Sequence, residues 1–452
     1  MRNRQILNIA LPAIAANITV PLLGLVDVAI VGHMGSAAYI GAVAVGSMIF
    51  NLVYWLFGFL RMGTSGLTAQ AFGRRDFSEV IRLMVRSMGV ALSIGLAMIV
   101  LQVPLRWLMF WLIAPTADVM PLAKNYYRIV IWGAPASLSL FALTGWFIGM
   151  QNTRIPMFIA IMQNVVNIVV SLALVYGLGM KIEGVALGTV IAQYTALMTS
   201  LWLFGRYYGR LFNRHSSTSH LPPSTTSHLS LHDALSKVSA VLGDCRGFFT
   251  VNRDIFLRTL CLVSVNLFFT SAGARYGAVI LSVNTVFMQF YLFYSYFMDG
   301  FAYAGEALCG RYYGAADRQA FSQTLRRLFL WTLGVTAVFT ILYIGWGMDI
   351  VRLLTDEASV IATASQFVIW AWLIPAAGAL AFLWDGIFIG ITATRAMLLT
   401  SVVATLLFFV IYVVAVPTLA NHALWLAQVV YLMARGVAQT IWYNKVFACT
   451  AK

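Results

Sequence analysis

Four carboxylates, Asp27, Asp299, Glu306 and Asp385, stand inside long stretches that carry almost no other charge. Ionising a carboxylate away from water is costly, so such a group either gains and loses a proton as its access to water changes, or holds a cation. Asp27 is read as a proton-coupling group because other polar residues share its depth. It lies five residues before Gly32, about 8 Å from the end of its helix at about 1.5 Å per residue. Asn164, Asn167 and Ser171 are three and four residues apart, which places them on one helix face, and Thr189 and Gln193 are four apart on the next segment. Together these five form a candidate polar pocket in the first half of the chain. Each amide also serves equally well as glue between helices. Pro12 and Pro21 precede Asp27 in the same segment, and a proline interrupts the ladder of backbone bonds, so either is a candidate hinge.

The elements that must hold these groups are membrane helices. The 452 residues are 61% hydrophobic and only 10% charged, with a mean hydropathy of +0.85, whereas a soluble chain carries about 25% charge. Apolar runs predict about twelve helices, near 6–32, 39–72, 84–113, 121–151, 155–178, 183–207, 254–274, 277–313, 326–347, 358–391, 396–416 and 422–446. Each is long enough to span a bilayer, which takes about 20 residues. With both termini cytoplasmic, 21 of the 29 Lys and Arg residues fall on the inner side, as the positive-inside rule requires. Arg61 and Arg435 alone are expected inside spans. The net charge of +14 then reflects topology and contact with anionic lipid headgroups, not nucleic acid. The first apolar segment shows no small-residue cleavage site after Arg2 and Arg4, so it is expected to be retained.

The chain also repeats itself. Residues 147–154 read FIGMQNTR and residues 388–395 read FIGITATR, an offset of 241. The same offset relates AQAFGRRD at 69–76 to GRYYGAAD at 310–317. A single register across both pairs means duplicated halves. Six helices per half give both the same orientation, so a pseudo-twofold along the membrane normal is expected. The boundaries read as an N-lobe over 1–208, a disordered cytoplasmic linker over 209–252 and a C-lobe over 253–452. His215, His220, His228 and His232 lie in that linker at spacings that suit no compact metal site. A short surface helix is expected from His232 and Asp233 through Leu242. Cys245, Cys261, Cys309 and Cys449 suggest no disulfide.

Several segments together resemble the multidrug and toxic compound extrusion (MATE) transporters, in particular their DinF-like branch. They are LVDVAIVGHMG at 25–35, FGFLRMGTSGLTAQAFGRRD at 57–76, FIGMQNTRIPM at 147–157, GMKIEGVALGTVIAQ at 179–193, MDGFAYAGEALCG at 298–310 and WDGIFIGITATR at 384–395. The resemblance covers nearly the whole chain outside the linker. It implies twelve helices in two six-helix lobes and export of amphipathic, often cationic compounds, in exchange for protons or sodium ions, by alternating access. Asp27 matches the family's cation-coupling aspartate, Asn167 an asparagine of the same site, and Pro12 a proline at which the first helix is proposed to bend. The family often has an aspartate four residues after that asparagine, where this chain has Ser171. One carboxylate instead of two favours protons over sodium.

The remaining acids do not follow the repeat: at the offset of 241, Asp299 faces Gly58, Glu306 faces Ser65 and Asp385 faces Thr144. Three roles are open to Asp299 and Asp385, namely receiving a cationic substrate, acting as a second protonation site, or neutralising Arg61. Glu306 is expected to be structural, or a partner of Arg61. Aromatic residues on the eighth helix, such as Phe287, Phe290, Tyr291 and Tyr294, offer faces for a cationic ligand or simply pack. There is no GxxxxGK[ST] loop and no HExxH motif, so neither a cofactor, a metal nor a catalytic group is expected. The chain reads as an ion-driven exporter in the cell membrane, the inner membrane in a bacterium, and as a monomer. Sodium-coupled export and the flipping of a lipid-linked sugar are the alternatives.

Overall fold

The computed structural model describes residues 2–32, 37–216 and 246–449. Among these residues there is no strand. The first half contains α1 (Arg2–Gly32), α2 (Ala37–Leu56), α3 (Phe59–Gly73), α4 (Phe77–Val100), α5 (Gln102–Ile113), α6 (Met120–Val130), α7 (Ala134–Gly149), α8 (Arg154–Leu172) and α9 (Ile182–Ser216). The second contains α10 (Arg246–Ala274), α11 (Ala278–Gly314), α12 (Arg318–Leu354), α13 (Ala358–Gly390), α14 (Thr394–Leu419) and α15 (Asn421–Cys449). Among the described residues ten segments, from Ala38–Gly73 to Thr394–Leu419, are long and apolar enough to cross a bilayer. Helices α1 and α15, of 31 and 29 residues, stand before and after them. The chain is an all-α integral membrane protein.

Prolines explain where the helices depart from the expected runs. The segment expected at 84–113 is two helices, α4 and α5, which meet at Leu101. Pro104 has no N–H to give to the Val100 carbonyl, so the ladder stops there. Pro135 likewise leaves the Ile131 carbonyl without its usual donor, and residues Ile131–Gly133 tighten into a single 3-10 turn between α6 and α7. Helix α1, by contrast, runs unbroken through both Pro12 and Pro21.

The sequence repeat returns as backbone geometry. Arg75 and Ala316, 241 residues apart, are both left-handed, with φ of 59° and 56°, and so are Gln151 and Thr392, at 66° and 54°. Each ends a helix by the same pair of bonds. Asp76 N–H reaches Ala71 O and Asp317 N–H reaches Tyr312 O, both at 3.0 Å, while Asn152 and Ala393 reach Phe147 O and Phe388 O at 2.9 Å. Such six-to-one bonds satisfy carbonyls that a helix end leaves open. Asp76 and Asp317 then cap the following helices, accepting from Glu79 N–H at 3.0 Å and Ala320 N–H at 2.8 Å.

Helix crossings repeat too. A Cβ at Gly145 of α7 would overlap the Arg61 carbonyl of α3, and a Cβ at Gly386 of α13 would overlap the Ala302 carbonyl of α11. One turn on, Gly149 faces Ser65 and Thr68, and Gly390 faces Glu306. Lipid supplies no hydrophobic drive between helices, so close backbone approach at small residues holds each pair.

The chain divides into two compact units, Ala15–Thr250 and Met1–Ile14 with Val251–Lys452. The division differs from the boundaries read from sequence at the N-terminus, because the first turns of α1 pack on the second half. Gly300 of α11 lies against Ile14 and the Ala10 carbonyl, and the Tyr312 hydroxyl donates to Gln5 at 3.1 Å. The expected linker is also shorter at both ends, since α9 continues to Ser216 and α10 begins at Arg246. Residues 217–245, with His220, His228 and His232 and the short helix expected up to Leu242, lie outside the described residues.

Replacing Gly386 by Ala would force a methyl into the Ala302 backbone, which cannot yield. The thermal midpoint of the detergent-purified protein is expected to fall, by a stability loss of about 1–3 kcal/mol. Gly205→Ala, where a Cβ meets nothing within 4 Å, should leave it unchanged or slightly raised.

Candidate functional site

In the unit Ala15–Thr250, Asp27 is buried in α1, and its Oδ1 has no hydrogen-bond partner among the described residues. The helical spacing of the candidate pocket becomes a bonded network across α8 and α9. Asn167 Nδ2 donates to Thr189 Oγ1 at 3.1 Å, Ser171 Oγ donates to Asn167 Oδ1 at 3.3 Å, and Thr189 closes the chain on the Val185 carbonyl at 3.1 Å. The helices can come this close because Gly188 lies directly against Ser171. Asn164 turns elsewhere and donates to the Thr19 carbonyl of α1 at 3.3 Å. The Gln193 side chain fills the space above Gly133, where a Cβ would collide with it.

Tyr126 of α6 joins these parts, and sequence reasoning missed it. Its buried ring packs against Gly46 of α2, and its hydroxyl reaches the side chains of Ser47 and Thr189 within the electrostatic range of Asp27. One tyrosine among 19 carries no signal of this role until α2, α6 and α9 are brought together.

The equivalent place in the second half is aromatic. At the offset of 241, Asp27, Asn167 and Ser171 correspond to Phe268, Phe408 and Tyr412. There Phe268 meets Phe408 and Tyr412 edge to face at 6.0 and 5.1 Å. A duplicated scaffold thus holds a polar network in one half and an aromatic ring cluster in the other. The α11 rings are also mutual packing partners: Phe287 meets Phe290 edge to face at 5.7 Å, and Tyr294 meets Phe339 at 5.3 Å.

Asp385 of α13 sits in a different setting. Its Oδ2 receives hydrogen bonds from both Arg258 of α10 and Arg435 of α15, and its Oδ1 accepts from Gln439 Nε2 at 2.8 Å. All four residues are buried. The two guanidinium groups share Oδ2 and Gln439 takes Oδ1, so both carboxylate oxygens are engaged and Asp385 is a helix latch with Arg258 and Arg435 as partners. Arg258, one of the residues that the charge count places on the inner side, lies well inside a helix. Helix α10 starts at Arg246, so Arg258 is twelve residues in, about 18 Å along the helix. Asp299 is half-buried near Tyr291 and Tyr296, and Glu306 is buried where α11 crosses Gly390. Arg61 lies on α3, its backbone against Gly145.

The MatE family model matches residues 12–173 and 255–414, two segments whose last residues lie 241 apart. DNA damage-inducible protein F of Escherichia coli is 36% identical over 97% of this chain and 92% of its own length. Among solved structures, a MOP superfamily transporter from Pyrococcus furiosus superposes with a TM-score of 0.84, covering 100% of this chain and 97% of that one, at 17% identity. A MATE structure in the bent conformation gives 0.83 over 99% and 96%, also at 17% identity. At that identity the two structures speak for the fold alone.

The two buried aspartates should respond oppositely to neutral replacement. Asp385→Ala leaves two guanidinium groups unpaired and is expected to cost about 3–5 kcal/mol, seen as loss of protein from the membrane or a much lower thermal midpoint. Asp27→Asn keeps shape and removes no hydrogen bond made by Oδ1, so its midpoint should stay close to that of the wild type.

Proposed function

Because the chain belongs to the MatE family, and is a multi-pass membrane transporter and not an enzyme, we propose that it is a proton-coupled antiporter that exports amphipathic, often cationic compounds by alternating access. Asp27 carries the reading: it is a buried carboxylate with one oxygen unpartnered among the described residues, on a helix that also contains Pro12 and Pro21. A proton added there removes a charge near Tyr126, whose hydroxyl reaches Thr189, and so weakens the polar draw on α1. Residues 1–14 of the same helix belong to the other compact unit. A bend at Pro12 or Pro21, where the backbone ladder lacks a bond, would convert the charge change into movement of α1. Protonation from outside and drug release outward are then coupled through one helix.

The network also bears on the choice of ion. A sodium ion needs several oxygens aimed at it, with enough negative charge to replace water. Here the Asn167 oxygen accepts from Ser171, and the Thr189 oxygen accepts from Asn167, so these neutral oxygens are engaged with one another. With Ser171 in place of a second carboxylate, a proton is the better-matched partner. The protein is read as a cell-membrane monomer with both termini cytoplasmic, consistent with the surplus of Lys and Arg on that side.

Reconstituted in proteoliposomes, the wild type should drive drug flux under an imposed pH gradient, and Asp27→Asn should reduce that flux to the level of empty vesicles. Flux that follows a sodium gradient instead, or survives in the variant, would overturn the assignment. In the same assay Ser171→Asp restores a second carboxylate four residues from Asn167. It is expected to make flux respond to a sodium gradient to which the wild type is indifferent.

A further inference from the structure

Beside the first turn of α1 lies a cavity of about 690 Å³, lined by Arg2, Asn3, Gln323, Arg326, Arg327 and Leu330. All six residues belong to one compact unit. The volume falls in the range of small-molecule sites, about 300–1,000 Å³, and is far more than one ion requires.

Its charge is not balanced locally. Arg326 and Arg327 are exposed, and among the described residues neither is in an ion pair. Between Ala307 and Met348 the sequence has a single acid, Asp317, and its carboxylate caps α12. Arg2 is held in place, donating to the Ala320 carbonyl at 2.8 Å with its guanidinium 5.8 Å over the Tyr312 ring. Three guanidinium groups, one of them held in place, therefore line one cavity, and guanidinium is the side chain best matched to a phosphate, through paired hydrogen bonds.

Depth identifies the ligand's other end. From Leu328 to Met348 α12 has 21 residues without a charge, about 31 Å at the helical rise and so about one hydrocarbon thickness. Arg326 and Arg327 stand at the edge of that layer, where phosphodiesters lie. On the apolar side Leu330 and Leu333 are 52% and 66% exposed, a surface suited to an acyl chain.

We infer that this cavity binds an anionic phospholipid, its phosphate held by Arg2, Arg326 and Arg327 and its acyl chains lying along Leu330 and Leu333. Basic recesses between helices near the cytoplasmic leaflet are the sites such headgroups select. The bound lipid ties the start of α1 to α12 and so steadies the half of α1 that lies beyond Pro12 from Asp27.

The test uses the detergent-purified full chain. Native mass spectrometry is run with equal amounts of dioleoyl phosphatidylglycerol and dioleoyl phosphatidylcholine, and thermal unfolding with each lipid alone. The wild type should retain phosphatidylglycerol over phosphatidylcholine by about tenfold, equivalent to about 1.4 kcal/mol, and only phosphatidylglycerol should raise the midpoint. Both effects should vanish in Arg326→Gln/Arg327→Gln and persist in part in Arg326→Lys/Arg327→Lys, which keeps the charge. Equal retention of the two lipids by the wild type, a comparison that needs no variant, would overturn the proposal, as would an unchanged preference in the glutamine variant. Glycerol 3-phosphate should give no shift; a shift equal to that of the lipid would assign the cavity to a soluble phosphate.

Discussion

Each half of this protein is organised around a place where two helix backbones touch. Lipid is as apolar as a leucine side chain, so burying apolar surface does little to press one membrane helix on another. What remains is dispersion at close range and the hydrogen bonds of polar groups that have no water to turn to. Gly145 against the Arg61 carbonyl and Gly386 against the Ala302 carbonyl provide the first. The turns at Arg75, Ala316, Gln151 and Thr392, each left-handed although none is glycine, end the same helices in both halves by returning N–H groups to open carbonyls. Side chains elsewhere were free to diverge because these backbone contacts did not.

That freedom is visible in how the two halves use matching positions. Asp27, Asn167 and Ser171 occupy in one half what Phe268, Phe408 and Tyr412 occupy in the other. The second half has its own buried charge, but Asp385 is consumed by Arg258, Arg435 and Gln439. A carboxylate shared by two guanidinium groups loses its counter-charge on protonation at great cost, which suits a fixed latch. One with an unpartnered oxygen suits a group that changes state. The contrast separates a structural acid from a coupling candidate without appeal to position in the chain.

Helix α1 joins the two compact units. Its first fourteen residues pack with the second half through Ala10, Ile14 and Gln5, while the Thr19 carbonyl accepts from Asn164 and Asp27 lies near Tyr126 in the first half. Its two prolines each leave one backbone carbonyl without its usual donor. The basic cavity lies at its first turn and the carboxylate near its last.

Length, apolar periodicity and the 241-residue repeat determined by themselves that the chain is helical, membrane-embedded and duplicated, because backbone satisfaction in lipid leaves few other solutions. Spacing within single helices also determined that Asn167 and Ser171 share a face with each other, and Thr189 with Gln193, since that depends only on 3.6 residues per turn. Pro104 and Pro135 mark their helix breaks in the sequence as well, and both were hidden inside runs whose apolarity was continuous. Tertiary structure alone decided what lies across a helix interface. Tyr126 meets Thr189 from 63 positions away, Arg258 finds Asp385 from 127 positions away, deep inside a helix whose start looked like a charged loop, and residues 1–14 join the opposite half. No local pattern encodes such pairings, because they are set by which helices the backbone contacts bring together, and that is a property of the whole packed chain.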